Sequence, residues 1–339
     1  MNFPVDNITH TIVGVAMGQA GLKRWSPYAT ALLILGANGP DIDVFAGWGA
    51  DGARYLEVHR GISHSFVGAP VLALTAAWVL WLWHRRHHKD VPYRWLPATG
   101  LALIGVLSHL LLDFITPYGT RLLLPFSNAR LGWDIFPVLD LWLLPVILFA
   151  MVLPFFFRLI SSEIGAKKTS FRPAAIFVLV FLVLLGGVRA TAHRRVMALV
   201  DSFLYKGREP VRASAFPESA SPFRWHVVID TEASLEEADV NVFEDFDPTA
   251  TRSFYPPEPN RALDVARQTR TAQAFFDFAQ YPYIYIDQRE EGYEVVFRDL
   301  RYEYGTMMLR KGAVVRVRLD GNLRVTSQHF SFRDSGDVR

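Results

Sequence analysis

The sequence predicts an all-α polytopic membrane domain, with about four spanning helices after an N-terminal helical hairpin, followed by a small α+β soluble domain. Apolar runs of membrane length are concentrated between residues 28 and 189. From residue 200 onward there is no long apolar run, and short segments alternate between apolar and polar residues as strands do. We therefore expect a membrane-embedded domain over residues 1–190 and a separate α+β domain over residues 200–339.

The N-terminal hairpin is predicted from two short helical segments, residues 8–22 and 28–38. Each segment is shorter than the roughly 20 residues that a helix needs to cross a bilayer. The pair therefore either enters and leaves on one side or spans with help from neighbouring helices. In both arrangements the start of the first helix and the end of the second return to the same side. The candidate ligands at that side are His10, Asp41 and Asp43.

The later apolar runs predict spanning helices over residues 66–83, 96–115, 141–157 and 174–188. The loops that connect them alternate in charge, and those at residues 84–94 and 158–172 are strongly basic. By the positive-inside rule both basic loops are cytoplasmic. We therefore expect an integral, multi-pass protein of the inner (cytoplasmic) membrane. The candidate ligands and the C-terminal domain are then expected on the extracytoplasmic side.

The C-terminal domain is predicted from segments that alternate like strands and from one amphipathic helix. The strand segments are residues 223–230, 293–297, 313–319 and 323–332, and the helix covers residues 261–279. Asp320-Gly321 is a hairpin turn signal between the last two strands. This mixture predicts a small α+β fold, and no chemistry is evident in it.

Composition restricts the functions open to the chain. There is no cysteine, so disulfides and thiolate metal sites are excluded. The formal net charge of +2 is too small to indicate a nucleic-acid partner. A transition-metal site would therefore use His, Asp, Glu and water. The expected partner is membrane lipid, and the oligomeric state stays open.

The central motif is the segment SHLLLD at residues 108–113, near the end of an apolar run. His109 and Asp113 are four residues apart, so on a helix they share one face. Ionisable side chains in an apolar helix of membrane length are costly, which makes them functional candidates. The alternative is a hydrogen-bonded His–Asp pair that only fixes helix packing. The metal interpretation is favoured because other His and Asp residues fall on the same predicted side.

Those other residues supply nitrogen and oxygen ligands that suit zinc, manganese or iron. They are His10, Asp41, Asp43, His59, His64, Asp134 and Asp140. Two or three ions about 3.5–4 Å apart would activate water and clamp both oxygens of an ester. Asp41 or Asp43 is a candidate ligand or general base, and Arg60 a candidate for neutralising charge on a phosphoryl oxygen. Asp41 and Asp43 would otherwise only stop a helix.

Five segments together resemble the YdjM-type family of membrane-bound, metal-dependent hydrolases. They are Thr9-His10, Pro40 with Asp41-Ile42-Asp43, residues 59–65 (HRGISHS), residues 108–113 and the region of Asp140. The resemblance covers residues 1–190, and the family is distantly similar to zinc-dependent phospholipase C. It implies the ligands His10, Asp41, His59 or His64, His109 and Asp113, with Asp113 as a bridge. The chain departs from that enzyme in lacking a later cluster of two His and a Glu, so we expect two ions rather than three.

The predicted function is hydrolysis of a phosphoester by metal-activated water at the outer membrane–water interface. The expected substrate is a lipid or lipid-linked headgroup, and the expected metal is zinc, with manganese or iron as alternatives. Two rivals remain, a metal-binding membrane sensor or regulator without catalysis, and a transporter. Because the polar residues gather at one end of the helices, the transporter is disfavoured. Sequence does not separate the hydrolase from the sensor.

Overall fold

The computed structural model describes residues 4–46, 52–88, 90, 92–163, 170–302 and 312–332. The chain divides into two compact units. The first takes its residues from 1–43, 60–190 and 219–221, and the second from 44–59, 191–218 and 222–339. In the predicted basic loops, Lys89, Lys167 and Lys168 lie outside the described residues.

The first unit opens with the predicted hairpin, which consists of helices α1 (Pro4–Ala20) and α2 (Ala29–Asn38). A short 3-10 helix at Leu22–Arg24 joins them. The Asn38 amide donates a hydrogen bond of 3.1 Å to the Thr11 hydroxyl, which ties the end of α2 to α1. This bond fixes the side of the hairpin that carries the candidate ligands.

The segment after the hairpin is rich in glycine, which favours a loop, yet its described residues are partly helical. A 3-10 helix (Pro40–Ile42) leads into α3 (Asp43–Ala46), and α4 (Gly52–Val58) follows. A further 3-10 helix, Ile62–His64, closes the segment. The glycine content that suggests a loop is tolerated because these helices are only one or two turns long.

Four longer helices follow, namely α5 (Gly68–His87), α6 (Trp95–Phe114), α7 (Leu143–Glu163) and α8 (Arg172–Val200). Among the described residues, α6, α7 and α8 are each long and apolar enough to cross a membrane, and a bent pair of Gly52–His64 with α5 makes up to four. This confirms the predicted helical membrane domain. Helix α8 continues well past residue 188, and its last turns, residues 191–200, belong to the second unit.

Close packing of α2 against α6 positions the centre of the first unit. A side-chain carbon at Gly105 would lie 2.5 Å from the Leu33 carbonyl oxygen, and one at Gly36 would collide with the Ala102 carbonyl oxygen. Two glycines therefore let the backbones approach, as small residues do in membrane helix pairs. The surrounding core is buried and aliphatic, and includes Leu32, Leu33, Ala73, Ala77, Leu101 and Ala102.

The second unit contains, within the described residues, two four-stranded antiparallel sheets. One is formed in order by β1 (Arg212–Pro217), β2 (Arg224–Asp230), β3 (Leu235–Asn241) and β4 (Arg252–Phe254). The other is formed by β5 (Pro282–Arg289), β6 (Gly292–Asp299), β7 (Val314–Asp320) and β8 (Val325–Ser331). The predicted α+β class is confirmed.

The predicted helix over residues 261–279 is two helices, α9 (Arg261–Arg267) and α10 (Arg270–Phe278). They separate at Thr269, whose hydroxyl accepts a hydrogen bond of 3.3 Å from the Ala272 amide and so caps α10. Helix α4 packs against α10 and β8. The Glu57 carboxylate accepts hydrogen bonds of 3.1 and 2.9 Å from the Arg270 guanidinium across that packing.

Candidate metal centre

Helix α6 supplies two polar residues at the middle of the candidate site. His109 and Asp113 are buried, and His109 Nε2 lies 3.4 Å from Asp113 Oδ2, as the four-residue spacing predicts. The other His109 nitrogen, Nδ1, lies 2.7 Å from the Ala37 carbonyl oxygen. A carbonyl can only accept, so Nδ1 carries the proton and Nε2 presents its lone pair to the site. A ring held in this way is a typical metal-ligand arrangement.

His64 faces His109 from the short 3-10 helix Ile62–His64 and is fully buried. Its Nε2 lies 3.1 Å from His109 Nε2 and 3.2 Å from Asp113 Oδ2. Its Nδ1 lies 3.1 Å from Asp43 Oδ2. In the neutral ring, a proton on Nδ1 is donated to Asp43, and the Nε2 lone pair points to His109.

Asp43 therefore orients His64 from behind. Its Oδ2 also accepts hydrogen bonds of 2.9 Å from the Arg60 amide and 3.0 Å from the Ser63 hydroxyl. A carboxylate that holds the second nitrogen of a ligating histidine fixes the ring orientation and raises its basicity. The position suits an orienting residue better than the proton-accepting role considered from sequence.

Asp41, at the end of the hairpin, approaches the same point. Its Oδ1 lies 3.5 Å from His64 Nε2 and 3.6 Å from His109 Nε2. The side chain is 14% exposed, whereas His64 and His109 are at 0%. Burial opposes ionisation of Asp41, but with no ion bound, a proton donated by His64 and positive charge on His109 outweigh it and lower the pKa of the carboxyl.

His10 on α1 reaches the other oxygen of Asp113. Its Nε2 lies 3.5 Å from Asp113 Oδ1, and its ring stacks on that of His109 with centroids 3.9 Å apart. Among the described residues, two groups of three bring ligand atoms within 4.8 Å of one another. They are His10 with His109 and Asp113, and Asp41 with His64 and His109.

Arg60 compensates the charge of Asp113. Its guanidinium lies 2.9 Å from Asp113 Oδ1 and donates to the Thr116 hydroxyl at 3.0 Å, while stacking 4.7 Å above the Tyr118 ring. The residue is buried and has a positive φ of 53°, a strained backbone for a residue other than glycine. The Arg60 guanidinium is therefore a buried partner of Asp113.

Three other residues proposed from sequence are not among these groups. One is Asp134, which lies between α6 and α7 and has a positive φ of 55°. His59 ends α4 and belongs to the second unit, where its ring stacks on Tyr55 at 4.8 Å. Asp140 accepts hydrogen bonds of 2.8 Å from the amides of both Trp142 and Leu143, so it caps α7. Its other oxygen lies 2.6 Å from the Arg189 guanidinium.

The acceptor atoms in the cluster converge in a way that demands positive charge. His64 Nε2 lies 3.1 Å from His109 Nε2 and 3.2 Å from Asp113 Oδ2. Asp41 Oδ1 lies 3.5 Å from the first of these nitrogens and 3.6 Å from the second. Imidazole lone pairs and carboxylate oxygens at these distances repel one another strongly in a buried site. A cation among them, either a metal ion or a proton on His64, relieves the repulsion.

Sequence reasoning missed three groups that build the site: the Ala37 carbonyl, the Ser63 hydroxyl and the Thr116 hydroxyl. Backbone acceptors carry no sequence signal. Ser63 and Thr116 adjoin recognised motifs, and a search for hydroxyls next to ligating residues would have found them.

Comparison with known proteins finds a family match in each part of the chain. Residues 5–196 match the family described as YdjM inner membrane protein, and residues 261–335 match the YfhP C-terminal alpha/beta plait domain. The chain is 23% identical over 316 residues to the uncharacterized protein YfhP of Bacillus subtilis (strain 168), covering 88% of this chain and 87% of that protein. No solved structure gives a significant match. More than half of the chain lies within the first match, and the protein belongs to the YdjM inner membrane protein family.

Proposed function

We propose that the protein is an integral membrane metal-dependent hydrolase that cleaves a phosphoester of a lipid or lipid-linked headgroup. The observation that carries the proposal is the convergence of His64 Nε2, His109 Nε2 and two carboxylates on one buried point. Two imidazoles and two carboxylates are a donor set that suits zinc, and also manganese or iron. A divalent ion there would polarise a phosphoryl oxygen and acidify a water molecule.

The geometry favours one ion rather than the two implied by family resemblance. His109 has one nitrogen to offer, because the other is bonded to the Ala37 carbonyl. Asp113 Oδ1 already lies 2.9 Å from Arg60, so a bridging role would require the guanidinium to move away. This ion would therefore be held by His64, His109, Asp41 and Asp113 Oδ2, with His10 beside them.

The residues around the ion would then have separate roles. Asp41 is the most exposed member of this set, so it lies where substrate and solvent would arrive. Its carboxylate would either stay on the ion as a ligand or leave it to accept a proton from water. Asp43 orients His64, and Arg60 fixes Asp113. Arg60 would meet a phosphoryl oxygen only by leaving Asp113.

A lipid substrate is supported by apolar side chains next to the candidate ligands. Ile42, between Asp41 and Asp43, is 59% exposed; Ile62 and Phe66, on either side of His64, are 54% and 55% exposed. Exposed apolar groups around a polar site mark a surface that meets lipid or a partner. In a membrane domain they suit an opening at the level of the headgroups.

The test is hydrolysis of phosphodiester substrates by the purified protein in lipid nanodiscs. We expect turnover of a lipid phosphodiester that is lost after chelation and restored by zinc or manganese. Asp41→Asn should reduce turnover more than metal content. The exposed His88→Ala, just after α5 and outside the site, is the matched control and should change neither. No metal-dependent turnover across a panel of lipid phosphodiesters would contradict the hydrolase.

Metal binding without turnover is the second candidate. The burial of His10, His64, His109 and Asp113 favours it, because an enclosed ion exchanges slowly and meets no substrate. A full complement of metal combined with no hydrolysis would support this sensor or regulator.

We also propose that the site and the C-terminal domain face away from the cytoplasm, because the loops at residues 84–94 and 158–172 are basic. The chain has no cysteine, so single cysteines report sidedness cleanly. His87→Cys should be protected from an impermeant reagent in intact cells, and Ala250→Cys should react. Labelling of position 87 alone would reverse the assignment.

A further inference from the structure

A groove of about 650 Å³ runs between α1 and α7, on the first unit. Its walls are apolar and include Ile12, Val15, Met151, Val152 and Phe155. Its volume lies within the range of ligand sites. None of the candidate metal ligands lines it, so it is a separate feature from the cluster.

The groove is positively charged at one end. Lys23 and Arg158 line it there, and Lys23 Nζ donates a hydrogen bond of 3.4 Å to Gln19. Close by, Arg172 Nε donates to the Ala20 carbonyl oxygen at 3.2 Å and adds a third cation. Among the described residues that line the groove, none is acidic. An occupant with a negative head and an apolar body complements this pattern.

The part of α1 that lines the groove is about as long as one leaflet is thick. It follows one face of α1, where Thr11, Val15 and Gln19 recur every fourth residue and Lys23 follows. From Thr11 to the end of α1 at Ala20 the helix rises about 14 Å. That is about half of the ~30 Å hydrocarbon core. An acyl chain that starts at the basic end would therefore reach the middle of the membrane.

We propose that this groove binds an anionic glycerophospholipid, with one acyl chain along α1 and the phosphate between Lys23 and Arg158. Cationic side chains at the membrane surface favour anionic lipids, and two of them around one phosphate add to that preference. The positive-inside rule assigns this end to the cytoplasmic leaflet, where anionic lipids give a negative surface potential. The inference does not depend on hydrolysis or on metal.

The test is lipid retention by the full chain in nanodiscs that contain equal amounts of phosphatidylglycerol and phosphatidylcholine. Native mass spectrometry should show preferential retention of phosphatidylglycerol. Lys23→Gln/Arg158→Gln should reduce that preference by on the order of tenfold. Arg24→Gln/Arg86→Gln removes two exposed charges outside the groove and should leave it unchanged.

A second variant separates binding in the groove from nonspecific attraction of lipids to the cationic side chains. Val15→Phe fills the groove while keeping both cations, and it should lower the retained amount of both lipids. Equal retention of the two lipids by the parent would overturn the proposal. So would an equal loss in the groove pair and the control pair, or full retention in Val15→Phe. If the charge pair fails to fold, Val15→Phe decides alone.

Discussion

Two buried aspartates of the first unit are each paired with a buried arginine, yet their surroundings differ. Asp113 lies 2.9 Å from Arg60 and is surrounded by His10, His64 and His109. Asp140 lies 2.6 Å from Arg189, and its other oxygen accepts two backbone amides. Both oxygens of Asp140 are therefore bonded to groups of the protein itself, two backbone amides and the Arg189 guanidinium. The nearest neighbours of Asp113 Oδ2 are imidazole nitrogens, which bind metals as readily as protons.

Charge and burial therefore do not identify a metal ligand by themselves. Both carboxylates are buried, both lie at the end of an apolar helix, and both have an arginine partner. What differs is the chemistry of the remaining neighbours. Asp140 is therefore interpreted as structural and Asp113 as functional, and each assignment leads to a distinct expectation.

The largest expected effect on stability is at Asp140. Asp140→Ala removes the carboxylate opposite buried Arg189 and also the cap of α7, so we expect a loss of about 3–5 kcal/mol. Asp140→Asn keeps the cap and should lose about 1 kcal/mol less. Unfolding in detergent measures both. Wild-type stability in Asp140→Ala would contradict the structural role assigned to Asp140.

The next effect separates the two arginines. Arg60→Met should cost about 3 kcal/mol when metal is chelated, because Asp113 is left as a buried charge. Saturating zinc should recover much of that loss, since the ion replaces the guanidinium as a compensating charge. Arg189→Met is the matched control and should be destabilised to the same extent with and without zinc. An identical zinc response in the two variants would contradict the distinction.

A smaller effect is expected from the helix contact behind His109. Gly105→Ala would press α6 away from the Leu33 carbonyl, at a cost of about 1–3 kcal/mol, and weaken metal binding. Gly100→Ala lies on the same helix, and a side chain there meets nothing within 4 Å. That control should be neutral or slightly stabilising. Titration with zinc and thermal unfolding would compare the two.

The smallest effect concerns the orientation of His64. Asp43→Asn keeps the size of the side chain but removes the charge behind Nδ1, and should weaken zinc affinity roughly tenfold to hundredfold. The fold should survive, because Asn can still accept from the Arg60 amide. Unchanged affinity in a competition titration would show that Asp43 does not act on the site.

Much of the membrane fold could be predicted because its signals are strong. The apolar run assigned to residues 96–115 is α6, Trp95–Phe114, and its His109 and Asp113 share a face as expected. The gathering of His10, Asp41 and His64 followed from helix lengths and loop charges. The helix assignments succeed because hydrophobic length is a strong signal for a membrane helix. The sidedness read from the basic loops stays a prediction.

The rest depended on tertiary contacts that sequence does not display. The choice between His59 and His64 depends on which residue the 3-10 helix Ile62–His64 turns inward. Strand β3 was missed because it carries buried Glu236, which accepts hydrogen bonds from Ser234, Thr251 and Ser253 at 2.6–2.8 Å. A buried carboxylate hides the alternation that marks a strand. The role of Asp140 is likewise set by Arg189, 49 positions away in sequence.

A metal centre at Asp113 is tested most directly by the metal content of the parent, Asp113→Asn and Asp140→Asn proteins after chelation and reloading with zinc. The account predicts about one ion per chain in the parent and in Asp140→Asn, and almost none in Asp113→Asn. If Asp113 only accepted hydrogen bonds, Asn would serve equally well. Equal zinc content in all three proteins would therefore contradict a metal centre at Asp113.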